Sequence, residues 1–328
     1  MKHVVRLTAF VVLLALLATP FVSFAQGDPR CGGLSEADCQ FVLQAAENMT
    51  GVTSFTVPNF NFHLDFNMPD EETGEVQTIV MDAAGNAAVS FASQEDGMAY
   101  FYFSELSIQG IEEPTDLTDV EIILTPTMQY VKYQGEWYGG EEETDFSAFN
   151  MDSLDLNAQL DTLGIDLTGV LTTTRGADAE LHGQAMATFT TSIDISALLN
   201  ALLASPTVGA ALGMGDGEEA MSPEEMQMVV ALLAPMLEGT SIDSEQWIGL
   251  DDGYVHKANV DVVLNLDMTM FAPEAGAITG ALNLELEFAD FNQPINVTVP
   301  TEYKPLDEMD TEVPSLDGLG GLGAGLGM

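Results

Sequence analysis

Residues 60–67 read Phe60-Asn61-Phe62-His63-Leu64-Asp65-Phe66-Asn67. Apolar and polar side chains alternate with a period of two, the pattern of a strand with one dry face and one wet face. The same pattern returns twice near the end of the chain. Val260, Val262, Leu264, Leu266, Met268 and Met270 alternate with Asn259, Asp261, Asn265, Asp267 and Thr269. Leu282, Leu284, Leu286 and Phe288 alternate with Asn283, Glu285 and Glu287. Three long strands of this kind predict an antiparallel sheet with one apolar face, which other elements must cover.

Between these strands the chain supplies more of the same. Val76–Met81, Ala87–Phe91, Met98–Leu106 and Val120–Leu124 read as further strands, with Gly85-Asn86 and Asp96-Gly97 at expected hairpin turns. Met128 to Tyr138 reads as two short strands around Gln134-Gly135, and Glu180 to Ile195 as another strand stretch. Gln246–Leu250 and the chain from Tyr254 flank the turn Asp251-Asp252-Gly253. Residues 139–168 are acid-rich and less regular, and read as a surface segment with short helical turns.

Three helices are predicted. Ser35-Glu36-Ala37-Asp38 is a helix start, with Ser35 as N-cap, and Val42, Leu43, Ala45, Ala46 and Met49 fall on one face. A second helix runs from about Ser196 to Leu203. A third opens at Ser222-Pro223-Glu224-Glu225 and extends to Glu238, with Met226, Val229, Val230, Leu233 and Leu237 on its apolar face. Glycines flank it on both sides (Gly213, Gly215, Gly217 and Gly239), which marks it as a movable lid. The expected class is α+β, mainly β, as one curved sheet or open barrel with helices on its apolar face.

The ends of the chain carry different information. Lys2 and Arg6 precede an apolar run of eleven residues, Leu7 to Leu17, and Ser23-Phe24-Ala25 offers small residues for cleavage. Residues 1–25 therefore read as a signal peptide cleaved after Ala25, and the run is too short for a transmembrane anchor. Residues 26–302 read as one domain. Residues 303–328, acidic and then Gly/Leu-rich, read as a disordered tail. Export to an oxidising compartment makes a disulfide between Cys31 and Cys39 the expected state of the two cysteines.

The full chain has 7 basic residues against 52 acidic ones, a formal charge of −45. That field excludes nucleic acid as a partner. The apolar fraction of 46% nonetheless demands a real core. Recognised catalytic motifs are absent: no Gly-x-Ser-x-Gly elbow, no His-Glu-x-x-His and no phosphate-binding glycine loop. A non-enzymatic protein is expected, with no cofactor. Nothing in the residues specifies a protein partner. Asp152, Asp155, Asp161 and Asp166 crowd one segment, but their spacing matches no calcium loop. Met214, Met221, Met226, Met228 and Met236 suit an adaptable apolar lining better than a copper site. No metal site is expected.

Several local patterns carry a resemblance. Ala45-Ala46-Glu47-Asn48-Met49 leads into a strand at Ser54-Phe55. Tyr130-Val131-Lys132-Tyr133-Gln134-Gly135-Glu136-Trp137-Tyr138 follows, then Gln246-Trp247-Ile248-Gly249 and Asp252-Gly253-Tyr254-Val255-His256-Lys257. Phe288 to Pro300 closes the series. In order and pattern, residues 35–300 resemble the LolA-like and LppX/LprG-like bacterial envelope proteins. The resemblance implies a strongly curved open half-barrel with helices packed in its concave face, and a space there for lipid or lipoprotein acyl chains. Phe60, Phe62, Leu64, Phe66, Val262, Leu264, Leu266, Leu282, Leu284 and Leu286 would line it, under Met226, Val229 and Leu233. Each buried methylene contributes about 0.8 kcal/mol, so a sixteen-carbon chain would gain about 12 kcal/mol before losses. The same residues could equally form a closed core. The alternative is then an acidic envelope or extracellular interaction protein, associated with cations through its surface.

Overall fold

The computed structural model describes residues 31–69, 76–91, 96–111, 114–144, 146, 167–205, 228, 230–267, 269 and 276–309. The chain begins with α1 (Glu36–Thr50) and continues through β1 (Ser54–Pro69), β2 (Val76–Ser90), β3 (Met98–Gln109), β4 (Thr115–Leu117) and β5 (Val120–Leu124). Next come β6 (Met128–Tyr133), β7 (Glu136–Glu141), β8 (Leu171–Arg175), β9 (Ala179–Leu181) and β10 (Gln184–Ile193). Then follow α2 (Ile195–Ala204), a 3-10 turn (Ala234–Leu237), β11 (Ser241–Gly249), β12 (Val255–Asp267), β13 (Ala277–Ala289) and β14 (Lys304–Pro305).

The strands form one sheet in the order β14-β7-β6-β5-β3-β2-β1-β13-β12-β11-β10-β8, with β4 on β3 and β9 on β10. The sheet is large, open and curved, and does not close into a barrel. Pairing is antiparallel except for β14 on β7. Strands β1, β12 and β13 occupy the centre, where the three alternating stretches meet in register. Phe62 faces Leu284, Leu64 faces Leu282, and Leu282 faces Val262. Register alone thus puts the apolar positions of all three strands on one face.

Ser35 caps α1, its Oγ accepting the N–H of Asp38 at 3.2 Å. Val42, Ala45, Ala46 and Met49 of the helix pack against Phe55, Val57, Val89, Ala187, Phe189, Ile248 and Phe288 at one end of the sheet. The Cys31–Cys39 disulfide is formed, and it staples the first turns of α1 to the loop before it. That loop reaches β8, because Gly32 O accepts the Thr173 N–H at 2.7 Å.

Several expectations change. Gly85-Asn86 is not a turn: β2 runs straight through it, with register shifts against both neighbours. A Cβ on Gly85 would lie 1.8 Å from the carbonyl oxygen of Tyr102, so glycine is there for close strand approach at a bulge. The Glu180–Ile195 stretch is divided by a turn at His182-Gly183, both at positive φ, and β8 precedes it unforeseen. The acid-rich segment contains a core residue, Phe146, only 1% exposed. The third predicted helix is helical at 228 and 230–233, then tightens to 3-10 over Ala234–Leu237, where Pro235 has no N–H to give. Tyr303 to Met309 are docked: Tyr303 meets Tyr130 edge-on at 5.2 Å, Lys304 pairs with Glu136, and Leu306 sits on Gly140. The signal peptide, its cleavage site and residues 310–328 lie outside the described residues.

Candidate functional site

Across β1, β13 and β12 the inner face of the sheet is apolar but is not equally covered. At the α1 end it is closed. At the opposite end Leu64, Phe66, Ile242, Val260, Val262, Leu264 and Leu282 make a second buried cluster. The 3-10 turn packs there on β12 and α2, with Met236 only 4% exposed. A third cluster, of Ala83, Phe103, Leu117, Val120, Ile122 and Val131, fills the β3–β6 side.

Phe60, Phe62, Leu284 and Leu286 lie where these clusters meet, and all four are only half-buried. Phe60 touches the first and third clusters, and Phe62 the second and third. Their partners across the strands are apolar too: Phe60 faces Leu286 on β13 and Gly85 on β2, and Phe62 faces Leu284 and Ala83. Phe60 meets Phe103 edge-on at 5.6 Å. The alternation continues onto β3 as half-buried Phe101 and Leu106, which the strand reading contained but did not assign to a site.

The structure therefore brings the ten sheet residues singled out above onto one face. Leu64, Phe66, Val262, Leu264 and Leu282 are buried in the second cluster, and Leu266 faces Ile278 at its margin. Leu233 is half-buried just before the 3-10 turn. Met226 and Val229 lie outside the described residues, as do Asp152, Asp155, Asp161, Asp166, Met214 and Met221. Met228 is 73% exposed. Among the described residues no group of three His, Cys, Asp or Glu side chains could hold a metal ion. No helix among them is long and apolar enough to cross a membrane.

The lysines and the arginine among the described residues are paired with carboxylates. Lys132 pairs with Glu121 at 2.6 Å, and Lys257 with Glu285. Arg175 binds Asp38 at 2.6 Å and Asp178 at 2.7 Å. Hydrogen bonds from Ser35 and Arg175 hold the Asp38 carboxyl below its ordinary value. Asp252 sits at the β11–β12 turn. Burial pushes its carboxyl up, but hydrogen bonds from Gln184, the Tyr254 N–H and His256 outweigh that and bring it below the ordinary value. The Asn48 side chain donates to the backbone carbonyls of Asp252 and Gly253, which ties α1 to the same turn.

No family model and no curated protein sequence matches the chain. Solved structures do. The chain is similar in fold to LprF from Mycobacterium bovis, at 14% identity and a TM-score of 0.40, over 82% of this chain and 99% of that one. It is also similar to the lipoprotein LppX from Mycobacterium tuberculosis, at 12% identity and a TM-score of 0.33, over 80% and 100%. A putative outer membrane lipoprotein-sorting protein domain from Vibrio parahaemolyticus matches at 5% identity and a TM-score of 0.18, over 78% and 93%. These likenesses are of fold, and the chemistry of the site rests on this chain's own residues.

Proposed function

We propose that this protein is an exported, non-catalytic carrier that binds an acyl chain of a lipid or lipoprotein along the inner face of its sheet. One observation carries the reading: Phe60, Phe62, Leu284 and Leu286 form an apolar stripe that stays half-buried between three closed clusters. A filled core would bury large apolar side chains at the centre of its own sheet, since each contributes about 1.5–3 kcal/mol when fully covered. Apolar side chains left uncovered in a concave surface suit an apolar ligand. The end of the segment read above as a lid packs on β12 through the 3-10 turn, with Met236 4% exposed.

Native mass spectrometry on protein purified from its own host, with uptake of a fluorescent fatty acid, tests the proposal. Co-purifying lipid and saturable uptake are expected. Phe62→Asp should reduce uptake at least tenfold, and Leu233→Asp should weaken it by putting a charge under the lid. A clean apo mass with no uptake would sink the carrier and favour a closed-core acidic interaction protein.

A further inference from the structure

The stripe has a polar end. One cross-strand row on the inner face runs Thr173, Thr191, Ser244, Val260, Leu284, Phe62, Ala83 and Leu106, each residue facing the next across neighbouring strands. The first three positions are hydroxyls and the rest are apolar. At about 4.8 Å per strand, Ser244 stands about 14 Å from Phe62. Thr173 and Thr191 share a hydrogen bond at 3.0 Å, and Thr173 is 2% exposed. Ser244 is 6% exposed. A hydroxyl can both donate to and accept from a neutral ligand oxygen.

No cation among the described residues is free to meet an anion. All four of their lysines and arginines are held by carboxylates: Lys132, Arg175, Lys257 and Lys304. Arg175 is the one that lies beside the row. It stacks over Phe189 and is held by both Asp38 and Asp178. Around them stands a chain of formal charge −45. A phosphate headgroup would face that field with no counter-charge, whereas an ester or glycerol oxygen needs only a neutral hydrogen bond.

We infer that the site selects acyl lipids with uncharged headgroups, the hydroxyls of Thr173, Thr191 and Ser244 holding the ester or glycerol oxygens while the chains lie along Leu284 and Phe62. This rests on the carrier reading above. The test compares two probes with identical chains, dioleoylglycerol and dioleoylphosphatidate, delivered from cyclodextrin to the purified protein. Dioleoylglycerol is expected to bind at least tenfold more tightly. Equal or tighter binding of the phosphatidate overturns the inference and leaves the carrier standing, whereas failure of both probes removes the carrier itself. The double variant Thr191→Val and Ser244→Val keeps strand-favouring side chains. It should lose dioleoylglycerol affinity about tenfold, while squalene, which has no polar atom, binds it more tightly than the parent. Loss of both probes in a folded variant, or of neither, would overturn the role of the hydroxyls.

Discussion

Under α1 the inner face is sealed, with Met49 at 0% and Phe189 at 2% exposure, whereas on β1 and β13 Phe60, Phe62, Leu284 and Leu286 remain half-buried. The two regions have the same composition and the same alternation. They differ in cover: the first has a helix whose small residues, Ala45 and Ala46, let it lie close on the sheet, and the second lies between clusters. Hydrophobic burial needs a partner surface, so identical strand patterns produce a closed core in one place and a half-covered apolar stripe in another.

The largest expected effect tests that contrast directly. Phe189→Ala should destabilise the fold by about 3–5 kcal/mol, as a large-to-small change in a closed core does. Leu284→Ala should cost only about 1–2 kcal/mol, because part of that side chain is already wet. Equal shifts in urea midpoint would break the comparison and mean that the middle of the sheet is as closed as its end.

A smaller effect is expected from the staple. Replacing Cys31 and Cys39 by serine should cost about 2–3 kcal/mol. Because the loop joins α1 to β8 through Gly32 and Thr173, hydrogen exchange should quicken at α1 and β8 before it quickens at β1 and β13. Uniform acceleration would show that the two regions open as one.

Acid should separate the regions further. Asp38 and Asp252 have folded-state values below their unfolded ones, so their contribution is present above the ordinary carboxylate value, about 4, and is lost as pH falls through the lowered one. Both serve the α1 end. Asp38→Asn and Asp252→Asn should therefore flatten the fall in urea midpoint between about pH 4 and pH 2. An acid limb as steep as the parent's would assign it to other carboxylates. The smallest change should come from salt. Raising sodium chloride screens the mutual repulsion of 52 acidic residues and lifts the midpoint slightly, without altering the gap between Phe189→Ala and Leu284→Ala.

Much of this was readable from local pattern. The alternation from Phe60 to Asn67 and in β12 and β13, the cap at Ser35 and the turn at Gln134-Gly135 each depend on neighbours within a few residues. Gly85 misled because a glycine beside an asparagine is the local signature of a turn, while its actual role depends on the backbone of Tyr102, distant in sequence. Phe146 was hidden for the same reason, since nothing in its acidic surroundings announces that it packs into the α1 cluster. Docking of Tyr303 to Met309 likewise depends on the glycines at 139 and 140 on an edge strand.

By itself, the sequence determined which residues alternate, and hence that a sheet with one apolar face must form. It also determined that the surface would be acidic and left cysteines only at positions 31 and 39. Tertiary structure decided which stretch of that face α1 seals, which stays half-covered, and that Thr173, Thr191 and Ser244 stand in one row with Leu284 and Phe62. The reason is physical. Alternation is set by backbone geometry one residue at a time, whereas cover and cross-strand neighbours depend on register between segments more than a hundred residues apart, which no local pattern encodes.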